Sequence, residues 1–214
     1  MNKPDSLMYE MFNKQRTLHN MTIVNRNGKS WYARLLTVLN NLELEHILHD
    51  FNNNFYYLPC ISQRLRDQYV QVWKDTLSTQ PKLYYYRMFK NVFSYESYLD
   101  CINNDKRRKT LTRFRLSSHS LSIETGRYNG ITRNERKCVL CTQNVCESEY
   151  HFLLCCPLYK ELRNKYNITS SWPNLNVFTK TMSNYSTLSI NNVAKFLHEA
   201  FILREDKINI LAAS

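Results

Sequence analysis

The sequence predicts a mostly α protein: a helical, bundle-like N-terminal domain, a small module built of a short hairpin plus a helix, and C-terminal helices. Three observations predict it. Only three of 214 residues are glycine, too few for the φ > 0 positions that an all-β chain uses in its hairpins. Apolar residues make up 43% of the chain and recur mostly at helical spacing, i, i+3, i+4. Five of the seven cysteines fall between positions 138 and 156, which marks out a small module with its own chemistry.

Along the chain, residues 1–29 are largely polar and end in the turn signal Asn25-Arg26-Asn27-Gly28. Ser30 is then a candidate N-cap for a helix carrying Trp31, Leu35, Val38, Leu39 and Leu42 on one face. A short helix is expected over Leu44–Phe51 and a loop over Asn52–Pro59. Beyond it, Ile61, Leu65, Tyr69, Val72, Trp73 and Thr76 share one face of a longer amphipathic helix. Pro81 separates this helix from the tyrosine-rich stretch Lys82–Phe93. Ser94 or Ser97 opens a further helix reaching about Ile102. A helix with a cationic outer side is expected over 105–117. Leu121, Ile123 and Thr125 then alternate, Asn129-Gly130 is a hairpin-type turn, and Ile131–Lys137 reads as the return strand. Helices follow over Pro157–Tyr166, around Trp172, Leu175, Phe178 and Met182, and along Ile190, Val193, Leu197 and Phe201, the last fraying at Arg204–Lys207. The apolar settings of Tyr84–Tyr86, Trp31, Trp73 and Trp172 favour core positions. The expected division is 1–105, 106–166 and 167–214.

The formal net charge is +11, and most of it is local. Residues 106–137 carry ten Lys/Arg against two Asp/Glu. Concentrated positive charge points to a polyanion, with nucleic acid the default partner. Lys106, Arg107, Arg108, Lys109, Arg113, Arg115, Arg127, Arg133, Arg136 and Lys137 are the candidate phosphate contacts. Tyr128, lying among arginines, suits either stacking on an unpaired base or packing across the hairpin.

The first residues are polar, with no leader pattern, and no run of eighteen apolar residues exists. An intracellular setting, nucleus or cytoplasm, is therefore expected, with no membrane partner. Clustered reduced cysteines in that setting favour a metal over disulfides. A C-x-x-C turn, Cys138 and Cys141, lets two thiolates meet one tetrahedral ion. Three frames complete the shell. One adds His151 and Cys156, a second takes Cys155 in place of Cys156, and a third uses Cys146 with His151. Pro157 supports the first, because it disfavours helical geometry at Cys156 and lets that residue turn inward. A closed Cys₃His shell binds structural zinc and leaves no position for a catalytic water. Arg136 and Lys137 are expected to offset its charge.

Between Leu111 and Tyr166 the sequence resembles the zinc-binding region at the C-terminal end of non-LTR (LINE-type) retrotransposon reverse transcriptases. Arg113-Phe-Arg115, Glu124-Thr-Gly-Arg127, Arg133-Asn-Glu-Arg136, Cys138-Val-Leu-Cys141 and Glu147-Ser-Glu-Tyr-His151-Phe-Leu-Leu-Cys155-Cys156-Pro157 carry the likeness. The resemblance implies a zinc knuckle held by Cys138, Cys141, His151 and Cys156, and a part in holding template RNA or target DNA beside a polymerase. The polymerase itself is not expected in this chain: Tyr84-Tyr85-Tyr86 is followed by Arg87, and no Asp-Asp pair is present to hold two catalytic ions. Ser117 and His119 have no acid partner or oxyanion motif beside them. The expectation is thus a non-catalytic, zinc-stabilised nucleic-acid-binding module. Two readings stand beside it: a zinc-stabilised adaptor for a protein partner, and a retroelement relic without selected function.

Overall fold

In a computed structural model, the residues described are 7–21, 30–49, 54–168, 172–183 and 186–213. Among them the fold is helical, with no strand beyond one isolated antiparallel bridge, Lys137 to Cys146. The chain divides into two compact units, 1–74 and 75–214.

The first unit contains α1 (Leu7–Met21), α2 (Trp31–Asn41), a 3₁₀ turn at Glu45–His49, and most of α3 (Asn54–Thr79). Ser30 caps α2 as expected, its Oγ accepting the Ala33 N–H at 3.1 Å. The small core gathers Phe12, Tyr32, Leu39, Leu42, Leu44, Ile47 and Leu48. The mostly polar sequence of α1 carries little helical signal, yet Phe12 supplies a core ring packed edge-on against Tyr32. The loop expected over Asn52–Pro59 is helical from Asn54, with Pro59 inside α3. Asn52 and Asn53 lie outside the described residues, as does the turn signal at 25–28.

The second unit holds α4 (Tyr86–Phe89), α5 (Tyr98–Cys101), α6 (Asp105–Arg115), α7 (Ser122–Tyr128), α8 (Lys160–Lys165), α9 (Leu175–Ser183) and α10 (Thr187–Ala213). The expected segments 106–166 and 167–214 share one core here, together with residues from 85 onward. α10 packs along α6. Leu111, Phe114, Phe152, Leu153, Phe178, Met182, Ile190, Phe196 and Leu197 are almost wholly buried in that core. Removing a ring such as Phe152 from it costs about 3–5 kcal/mol.

Further sequence expectations are corrected by the structure. The hairpin over 121–137 does not form: residues 122–128 are helical, because Leu121 and Ile123 are both drawn into the core and Thr125 is left outside. The pairing occurs later, around the C-x-x-C turn, where Cys138 N–H donates to Val145 O and Glu147 N–H to Arg136 O, both at 2.9 Å. α10 does not fray at Arg204–Lys207 but runs to Ala213. Trp172 is not a core residue; it is 83% exposed. Trp31 is likewise exposed at its edge of α2.

Candidate metal centre and cationic surface

Cys138 and Cys141 lie on the turn closed by the 137–146 bridge. Asn144 adopts φ 52°, a left-handed geometry that asparagine tolerates, and its carbonyl accepts from Lys137 Nζ at 2.9 Å. His151 and Cys156 come from the next segment. Its helical turn widens there: Cys156 N–H donates to His151 O at 2.8 Å, five residues back, giving one π-type turn over His151–Cys155. Cys156 then leaves helical geometry at φ −59°, ψ 124°, the extended conformation that a following proline enforces. Together the wide turn and Pro157 swing Cys156 in beside His151.

One donor atom from each of Cys138, Cys141, His151 and Cys156 lies within 4.8 Å of every other. Cys141 Sγ and His151 Nε2 are 3.5 Å apart. A tetrahedral ion with metal–sulfur bonds of roughly 2.3 Å sets its donors about 3.8 Å apart, so this cluster is able to hold a metal ion. The spacing selects the first of the three frames: Cys146 and Cys155 stand outside the group. Among the described residues this is the one such cluster. Its thiols crowd one another. Cys138 is pushed up to about 12, by hydrogen bonding to Cys156 and then by burial, while the same bond lowers Cys156. A cation between them removes that conflict, because coordinated thiols are deprotonated outright.

Three residues to which the sequence reading gave no part in the centre support it. Arg163, on α8 and buried, donates from Nη2 to Cys156 O at 2.8 Å, and its charge acts on both Cys155 and Cys156. Arg163, rather than the expected Arg136 or Lys137, is thus a cation set beside these cysteines. Those two are engaged elsewhere: Lys137 reaches the Asn144 carbonyl, and Arg136 donates to Ile131 O and Ile123 O. The Arg136 methylenes lie against Gly126 so closely that a Cβ there would stand 2.6 Å from Cγ. Glu147 sits between the two ligand pairs in sequence and is 1% exposed. Arg204 grips it through two bonds of 2.7 Å, and its Oε2 also accepts the N–H and hydroxyl of Ser122 at the start of α7. The signal for Arg204 was present: it continues the Ile190, Val193, Leu197 face of α10 at helical spacing.

No family model, curated protein or solved structure matches this chain.

The ten expected phosphate contacts separate into exposed and engaged groups. Lys106, Lys109 and Arg113, at i, i+3 and i+7 on α6, are exposed along one face. Lys109 also pairs with Asp105 at 2.8 Å, a bond that shields little at this exposure. Arg107 is half-buried and Arg133 exposed over the Tyr84 ring. Arg108 donates to Ile102 O and Asp105. Arg127 forms two bonds to the buried carboxylate of Glu124. Arg115 is the clear correction: it is 2% exposed, donates to Met182 O and Glu96, and lies over the rings of Phe89 and Tyr98. It follows Leu111 and Phe114 onto the inner face of α6, so it ties the core and touches no solvent phosphate.

The acid partner lacking beside Ser117 and His119 in sequence is Glu149. Its Oε1 accepts from Ser117 Oγ at 2.6 Å and meets His119 Nε2 at 3.1 Å. This is not a nucleophile geometry. The serine donates to the carboxylate rather than to the imidazole, and all three side chains are buried. The group ties the end of α6 to the turn that carries His151. Among the described residues no helix is long and apolar enough to cross a membrane.

Proposed function

We propose that this chain is a zinc-stabilised nucleic-acid-binding module without catalysis of its own, acting in the nucleus or cytoplasm. The observation that carries the reading is the four-donor cluster joined, through one core, to the exposed Lys106, Lys109 and Arg113 face of α6. Three thiolates and one imidazole suit zinc, which takes tetrahedral sulfur and nitrogen ligands and needs no redox chemistry. With all four positions taken by protein, the ion supplies folding energy and orientation. The resemblance to the C-terminal zinc region of LINE-type reverse transcriptases agrees with this ligand set. It makes a polymerase or another protein that handles the same strand the natural companion.

The test is binding to single-stranded RNA and to duplex DNA across a salt series, with and without a zinc chelator. About four cations are free to meet phosphates, so log K should fall against log salt with a slope of about −3 to −4. A slope near zero sinks the reading and favours an adaptor for proteins.

A further inference from the structure

Tyr128 ends α7 with its side chain outside the core. The residue is 71% exposed. One side of the ring is covered: the Arg127 guanidinium carbon lies 4.3 Å from its centroid. Arg127 is not free to swing. Its Nε and Nη2 are held by Glu124 Oε1 and Oε2 at 3.2 and 3.0 Å, and Glu124 is itself buried. A buried carboxylate thus fixes an arginine, and the arginine fixes an aromatic ring that presents its other side to solvent. Beyond it, residues 129–135 are exposed and include Arg133.

We propose that Tyr128, steadied by Arg127 and Glu124, is a stacking platform for an unpaired base of a single-stranded nucleic acid whose phosphates run along the neighbouring cations. The inference rests on the nucleic-acid reading above and gives it a preference: strands with exposed bases over duplexes. Every base offers a π-face, so the platform is indifferent to sequence. The positive guanidinium on the inner side strengthens the site for an electron-rich ring and repels none of the strand's charge.

The experiment uses the full zinc-loaded chain with strands of oligothymidylate, oligouridylate and a base-free sugar–phosphate strand, all of equal length, each at several salt concentrations. Tyr128→Ala should weaken binding to the strands with bases by roughly 5- to 150-fold and leave the base-free strand unchanged. Tyr128→Phe and Tyr128→Trp should retain wild-type binding. Oligothymidylate and oligouridylate should respond alike. The proposal is overturned if Tyr128→Ala binds the strands with bases as well as the wild type does, or weakens all three strands equally. If the wild type binds no strand with a salt-dependent affinity, the nucleic-acid reading falls as well. A salt-dependent wild type with a silent Tyr128→Ala defeats the platform alone.

Discussion

The Arg163 guanidinium donates to the carbonyl of Cys156 at 2.8 Å while lying buried beside Cys155 and Cys156. With the proposed zinc bound, three thiolates around a divalent ion would carry about one net negative charge, which Arg163 beside Cys156 would balance. Arg163→Met should therefore weaken zinc binding by about 10- to 100-fold, the usual effect of losing a partner behind a ligand. Arg163→Lys should lose less, keeping the charge without the planar fork. Competition with a colorimetric chelator measures both, and equal affinity for all three proteins would remove the counter-charge role.

Cys146 and Cys155 stand outside the four-donor group, so replacing either by serine should leave one zinc per chain. Cys156→Ser or His151→Ala should abolish tight binding and lower the unfolding temperature toward that of the chelated protein. Metal content by mass spectrometry under native conditions reads the outcome directly. Loss of zinc on Cys155→Ser would restore the frame that the geometry disfavours.

Glu147 gives the acid limb of stability. Burial raises its carboxyl, but the bonds from Arg204 and Ser122 outweigh burial and hold it below its ordinary value near 4.5. A carboxyl depressed in the folded state stabilises fully above its unfolded value, and that stabilisation fades as pH falls through the folded value. Glu147→Gln leaves Arg204 buried without a counter-charge and should cost about 3–5 kcal/mol at neutral pH. The gap between wild type and variant in urea midpoint should narrow as pH falls below that ordinary value of 4.5. A gap independent of pH would show that the carboxylate charge is not the source.

Two arginines on one helix should behave in opposite ways. Arg113→Gln should remove about one unit from the salt slope and leave the unfolding temperature unchanged. Arg115→Gln should lower stability by about 2–4 kcal/mol, because Glu96 and the Met182 carbonyl lose a buried donor. At temperatures where the variant is folded, it should bind nucleic acid as the wild type does. A loss of affinity equal to that of Arg113→Gln would return Arg115 to the surface.

Much of the centre was legible because its chemistry is local. A C-x-x-C turn, a histidine and a cysteine before proline fall between positions 138 and 156, and the proline itself favours Cys156. The capping residue Ser30 and the apolar face of α6 are local signals too. What escaped the sequence depends on contacts far along the chain. Leu121, Ile123 and Thr125 alternate like a strand, but the core takes Leu121 and Ile123 from a helix, and Glu147 caps it from 25 residues away. Arg115 and Arg204 look like solvated charges until Glu96 and Glu147 arrive as partners. Charge density alone cannot tell an arginine that reads phosphate from one that closes a core.

The Glu147–Arg204 clasp also sets an order of events in the making of this protein. Its two halves are 57 residues apart. At synthesis rates of about 5–20 residues per second, the carboxylate waits roughly 3–11 s for its guanidinium to be made. The last of the four thiol and imidazole donors, Cys156, is made 48 residues before Arg204, so an ion is able to gather its turn first. The C-terminal helix then arrives as the last-added clamp, and a nascent chain halted before residue 204 has all four donors but leaves α7 without its lock.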